Sequence, residues 1–262
     1  MCARPLLRLL PAIWLAALPS PIALGWGPEG HRVVARIAEL HLSRDAAAAV
    51  ARILGPGRRL PGVASIADDV RNQKTAPWHY VNIPVDGSYD PARHCPAGQC
   101  VIAAAERARE ALKNPSADLR SAFEALYNLT HFIGDLHQPL HCGDRSDSGG
   151  NDLKVKLGGL RTNLHRVWDV HIPDIKPQDV EHLSRRLGRV AQAQRAAWSA
   201  GSPASWCLES HELSRNVVYR FRGTHEPVVL DAAYRRRGAR VAQEQLAKAG
   251  LRLAAILNEI FR

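Results

Sequence analysis

Histidine and aspartate recur in this chain at a spacing that suits metal ligation. His131 and Asp135 lie four residues apart in the segment His-Phe-Ile-Gly-Asp, and His165 and Asp169 repeat the interval in His-Arg-Val-Trp-Asp. Four residues apart on a helix means the same face. His141 follows Asp135 after a break at Pro139, so the chain can bring it back toward the same place. Asp68, His79 and His31 are further donors upstream. His131 and Asp135 stand among Leu129, Phe132, Ile133 and Leu136, and charges set among apolar neighbours need a partner or a metal. Imidazole and carboxylate oxygen together are a zinc donor set. A single pair of this kind is better explained by an exposed helical ion pair. Two such pairs plus His-Gln-Pro-Leu-His at 137–141 point to a metal cluster. His137 falls off the ligand stripe and is left out of it.

These donors need a scaffold, and the sequence predicts a helical one. Apolar residues recur at helical intervals over 30–42, 44–54, 101–113, 118–136, 179–198, 205–219 and 231–261. Residues 66–72 form a short helical piece, and Ser43 is placed to cap the helix that follows it. Residues 86–99 carry Gly, Pro and Cys and are expected to form an ordered loop. Strand signals are scarce: 153–164, with Gly158-Gly159 at its centre, predicts a small β-hairpin. No repeat or linker divides the chain. The expected fold is therefore mainly α (all-α class), a single domain over 26–262 with one small hairpin. With 262 residues and 46% hydrophobic content, disorder, collagen and coiled coil are excluded.

Residues 1–25 are expected to lie outside that domain. Arg4 and Arg8 precede an apolar run, and Ala23-Leu24-Gly25 offers small residues at a cleavage site. This is the pattern of a secretory signal peptide, and the run is too short for a membrane span. Cleavage would start the mature chain at Trp26. A free α-amino group there titrates at about 7.7–8.0, and its nitrogen can close a five-membered chelate on a metal with the Trp26 carbonyl oxygen. Losing the segment lowers the net charge from +10 to +8 and removes Cys2. A basic secreted protein is attracted to polyanions such as nucleic acid or anionic lipid. The four remaining cysteines suggest disulfides. Three pairings are open; the short bracket favours Cys95–Cys100, which leaves Cys142–Cys207.

The segments Trp26-Gly-Pro-Glu-Gly-His31, Ile66-Ala-Asp68-Asp-Val-Arg71 and Trp78-His79-Tyr-Val-Asn82 resemble the zinc-dependent S1/P1 nuclease family. So do 131–141, Gly149-Gly-Asn151, Asn163-Leu-His165-Arg-Val-Trp-Asp169 and the C-terminal stretch 249–258. The resemblance spans the whole of 26–262. It implies the compact helical fold shared by zinc phospholipase C and P1 nuclease. It also implies three zinc ions. One is held by Asp68, His79, His131 and Asp135. A second shares Asp135 and takes the Trp26 amine and carbonyl with His31. The third takes His141, His165 and Asp169. Asp68, Arg71 and Asn151 are the expected catalytic residues, with the Arg71 fork binding a phosphate oxygen. Tyr80, Asn82 and Asn151 are the expected substrate contacts. Tyr80 matches an aromatic position on which a base stacks, and Asn82 replaces an acid found in fungal members. The implied enzyme is a secreted or periplasmic monomer that cuts RNA and single-stranded DNA to 5′-phosphorylated products, with 3′-nucleotidase activity.

Two other readings compete. A zinc phospholipase C shares the helical fold, the N-terminal Trp and the zinc count, but supplies Glu where this chain has Asp169. A metal-scavenging protein needs neither Arg71 nor Asn151. The spacing of His165 and Asp169 and the basic charge favour the nuclease.

Overall fold

The computed structural model describes residues 26–262 except Thr224; the expected signal segment, 1–25, lies outside the described residues. The chain opens with α1 (Pro28–Leu40) and α2 (Arg44–Leu54), where the Ser43 hydroxyl caps the Ala46 amide at 3.2 Å. The short α3 (Ile66–Asp69) follows. The segment expected to be an ordered loop contains a one-turn helix, α4 (Pro91–His94), because the Asp90 carboxylate caps the Ala92 amide and Pro91 fixes the first helical φ. Next come α5 (Val101–Lys113) and α6 (Leu119–Leu136), the latter capped by Asp118.

Helix α6 is the axis of the molecule. It is buried without interruption from Leu129 to Leu136, and α1, α2, α3, α5 and α11 (Ala232–Ile260) all pack on it. Its apolar stripe, Ala125, Leu126, Leu129, Phe132, Ile133 and Leu136, is what folding buries, and His131 and Asp135 go inside with it. The α1–α11 crossing is close. A Cβ at Gly250 would stand 2.5 Å from Ile37 Cβ, so only glycine lets the two backbones approach this way.

The remaining helices are α7 (Leu164–Arg166), which runs into a π-helical turn over Val167–His171, then α8 (Val180–Ala193), α9 (Arg195–Trp198) and α10 (Pro203–Leu213). The single helix expected over 179–198 is thus broken at Gln194. The one expected over 205–219 begins earlier and widens into a π turn over Ser214–Val218. The hairpin forms as β1 (Lys154–Leu157) and β2 (Leu160–Asn163), but it is not alone. A third strand, β3 (Val228–Leu230), pairs parallel with β1 in the register Val155↔Val228, giving the order β2-β1-β3. Pairing buries Val155 and Val228 against the helices. Among the described residues, no helix is long and apolar enough to cross a membrane.

His137 shows what a buried imidazole does when it serves the fold. Its Nδ1 donates to the Ile133 carbonyl at 2.7 Å, and Arg252 donates to Nε2 at 2.8 Å. Glu209 and the Trp198 carbonyl hold Arg252 in turn. Burial, then the Arg252 charge, pushes the His137 pKa down to about 3. Between about 6.5 and that value the unfolded chain takes up a proton that the folded chain refuses. The stabilisation is therefore complete above about pH 6.5 and lost as pH falls, about 2 kcal/mol of it by pH 5. His137→Gln is expected to flatten the dependence of the denaturation midpoint on pH between 7 and 5; an unchanged slope would assign acid lability to other groups.

Candidate metal centre

The structure brings eight of the expected ligands into three donor groups. These are His31, His131 and Asp135; Asp68, His79 and His131; and His141, His165 and Asp169. They come from α1, α3, α6, α7 with its π turn, and the 3-10 turns Ala76–His79 and Pro139–His141. The ligand atoms of each group lie within 4.8 Å of one another. Asp135 is the hub. Its Oδ2 lies 3.1 Å from His79 Nδ1 and 3.2 Å from His131 Nε2. Its Oδ1 lies 3.5 Å from His31 Nε2 and 3.4 Å from His141 Nδ1. Asp68 Oδ1 stands 3.4 Å from both His79 Nδ1 and His131 Nε2.

The outer nitrogens of three imidazoles are fixed by backbone carbonyls. His131 Nδ1 donates to Ala64 at 2.9 Å, His141 Nδ1 to His79 at 2.6 Å, and His165 Nδ1 to Gly149 at 2.7 Å. Each bond assigns the proton to Nδ1 and turns an Nε2 lone pair inward. His165 Nε2 then faces His141 Nε2 at 3.2 Å, lone pair to lone pair. Two acceptors at that distance cannot satisfy each other. Both nitrogens of His31, Asp68 Oδ1 and Asp135 Oδ1 are buried without a hydrogen-bond partner. A cation is the group that satisfies all of these atoms at once, so the donor set fits a metal.

Electrostatics agree. Burial lowers the His141 pKa to about 4 and the His165 pKa to about 3, which keeps both in the ligating form at neutral pH. Burial, against the hydrogen bond from Gln138 and with the charges of Asp135 and Asp68 adding to it, holds Asp169 well above the usual carboxylate range. Burial opposes ionisation of Asp135 too, yet His131 and His141 hold its pKa well below the ordinary value.

Glycines let these groups close up. A Cβ at Gly134 would sit 2.7 Å from His31 Nδ1. Gly134→Ala is expected to push His31 out of its group, destabilising the fold by about 1–3 kcal/mol and lowering the metal content. Full metal occupancy with unchanged thermal stability would show that α1 yields without cost. At Gly149, φ is +61° and a Cβ would meet the Leu140 carbonyl at 2.9 Å, so glycine is needed for its carbonyl to reach His165.

Trp26 is fully buried, and the next amide, of Gly27, donates to the Asp169 carbonyl at 3.0 Å. Arg71 donates to the Ala76 carbonyl at 3.3 Å, and its charge is felt by His141 and His165. Asn151 Nδ2 donates to the Ser148 carbonyl at 2.8 Å, which orients its amide. Tyr80 is half-buried and Asn82 exposed. Cys95 is bonded to Cys100, and Cys142 to Cys207 on α10. Sequence reasoning missed Gln138. Its amide donates to Asp169 Oδ1 at 2.7 Å while its own oxygen accepts from the Leu140 amide. Its place between His137 and His141 was the only hint.

A sequence model of the S1/P1 nuclease family matches residues 26–262. Endonuclease 2 of Arabidopsis thaliana is 30% identical, with 95% of this chain and 94% of that protein covered. Endonuclease 3 of the same plant is 31% identical, covering 91% and 90%. Nuclease P1 of Penicillium citrinum is 30% identical, covering 90% and 97%.

Proposed function

The chain belongs to the S1/P1 nuclease family and is a phosphodiester hydrolase, and from that premise we propose a secreted or periplasmic trizinc endonuclease. It acts on RNA and single-stranded DNA, leaves 5′-phosphorylated products and removes 3′-phosphates from nucleotides. The observation that carries this reading is the Asp135 carboxylate, with both oxygens among four imidazoles and three donor groups around it. Asp68, His79, His131 and Asp135 would hold one zinc. Asp135 and His31, with the amine and carbonyl of a mature Trp26, would hold the second. His141, His165 and Asp169 would hold the third. Bound there, zinc supplies Lewis acidity and lowers the pKa of a bound water toward ~7.

The chain's own groups do the rest. Asp68 and Asp135 supply negative charge that keeps cations at the floor of the site. Arg71 presents a planar fork to phosphate oxygens, and its field at His141 and His165 supports a place beside the scissile group. Asn151, held by Ser148, orients a second phosphate oxygen. Tyr80 offers a π-face to a base, which tolerates any base. Asn82 beside it can donate and accept, where a carboxylate could only accept. The net charge, +8 once residues 1–25 are removed, draws a polyanion to the surface.

The test gives zinc-loaded protein single-stranded RNA, single-stranded DNA, a 3′-nucleotide and lecithin, each with and without a chelator. Chelator-sensitive hydrolysis of the first three, with 5′-phosphate ends, is the expected result. Cleavage of lecithin alone would replace the reading with a phospholipase, and hydrolysis that survives complete metal removal would sink it.

A further inference from the structure

Several of the chain's cations are paired with a local acid. Arg36 and Arg185 pair with Glu181, Arg235 with Asp174, and Lys248 and Arg252 with Glu209. Arg145 is held by two aromatic rings instead. It is exposed and makes no ion pair among the described residues. Its guanidinium carbon instead lies 4.6 Å from the centre of the Tyr219 ring and 5.2 Å from that of Phe221. The two acids nearest in sequence make their hydrogen bonds within the turn and to Tyr219, and neither forms an ion pair with Arg145. Asp144 Oδ1 accepts from the Asp147 and Gly149 amides, and Asp147 Oδ1 accepts from the Gly150 amide and the Tyr219 hydroxyl.

That arrangement fixes the cation without neutralising it. The rings restrict the side chain's rotamers, while the N–H groups keep their donor capacity for an anion. The turn carrying Arg145 is the one that builds the third donor group: it begins at His141 and returns through Gly149, whose carbonyl holds His165. Cys142–Cys207 pins its start to α10, and the Tyr219 hydroxyl pins its middle. A rigid loop with a held, unneutralised arginine suits a phosphate that must stand at a set place relative to that group.

We propose that Arg145, stacked over Tyr219 and Phe221, binds the phosphate of a nucleotide flanking the scissile bond in a single-stranded polynucleotide. This rests on the nuclease reading above and extends it: the subsite favours chains over single nucleotides. A phosphate neighbouring the one that reacts meets Arg145, whereas a mononucleotide has no such group to offer.

The experiment compares wild type with Arg145→Gln and Arg145→Lys, all zinc-loaded. Binding of a non-cleavable phosphorothioate single-stranded decamer is followed by fluorescence anisotropy across a salt series. Cleavage of an unmodified decamer and a dinucleotide is measured in parallel. For R145Q, decamer affinity is expected to weaken about tenfold, and the slope of log K against log salt to become shallower by about 0.7. The decamer-to-dinucleotide ratio of kcat/KM should fall by a similar factor. R145K should retain the wild-type slope, because the charge remains. Unaltered affinity and slope in R145Q would overturn the subsite, including where thermal stability drops, since the stacked arginine would then serve only the fold. If the wild type neither binds nor cuts the decamer, the nuclease reading falls and the subsite with it.

Discussion

Asp135→Asn is expected to empty two of the three proposed zinc sites and to lower kcat/KM by about 10³. The substitution keeps the size of the side chain and changes its chemistry. Both carboxylate oxygens face imidazole nitrogens, at 3.1 to 3.5 Å, and Oδ1 has no hydrogen-bond partner of its own. An amide removes the negative charge and turns an N–H₂ group toward ring nitrogens that must present lone pairs to a metal. The effect should exceed that of Gln138→Ala, which leaves Asp169 in place and only frees its orientation; loss of such an outer contact lowers metal affinity about 10–100-fold. Asp69→Asn is the control, because Asp69 is exposed and adjoins the site in sequence without entering a donor group. The measurement is zinc per chain by elemental analysis, paired with hydrolysis of single-stranded RNA. Zinc content and activity like those of wild type in the Asp135 variant would remove Asp135 from the centre of the mechanism.

The sequence made the donor residues that the fold gathers legible and left their support obscure, for a physical reason. A metal-donor side chain announces itself by type, and a four-residue interval announces its face, so His131 with Asp135 and His165 with Asp169 were readable as donors. The long apolar period of α6 was readable too, because burial demands it over many turns. What supports the ligands is backbone geometry, which leaves little trace in side-chain identity. The carbonyls of Ala64, His79 and Gly149 that fix three imidazoles could come from any residue. Gly134 matters only because His31 arrives from another helix. Strand β3 was missed because three residues carry too little alternation to detect, and its partner β1 lies about seventy residues earlier. The Arg145 stack likewise joins residues far apart in the chain. Sequence patterns register contacts that repeat locally; these contacts are made once, between distant segments.

Keeping one residue in front of Trp26 is expected to remove one zinc per chain and to lower kcat/KM at least about 100-fold, with the fold intact. The chain that begins at Trp26 ends in an amine of pKa about 7.7–8.0, whose neutral form is a metal donor near neutral pH. One added glycine turns that nitrogen into an amide, which does not donate, and carries the new amine about 3.8 Å further along the chain. The segment cannot shift to compensate. The Trp26 ring is fully buried, Gly30 lies so close that a Cβ there would meet Trp26 Cβ at 2.7 Å, and the Gly27 amide is bonded to the Asp169 carbonyl. His31, one helical turn on, has both ring nitrogens without a partner and needs whatever cation this end of the chain helps to hold. The two forms should therefore differ in metal and activity but match in circular dichroism. Equal zinc and equal activity would take the terminal amine out of the site and leave His31 and Asp135 to bind without it. Loss of one zinc together with activity would mean that a free amine on Trp26 completes the site, so that any form extended before Trp26 lacks a donor.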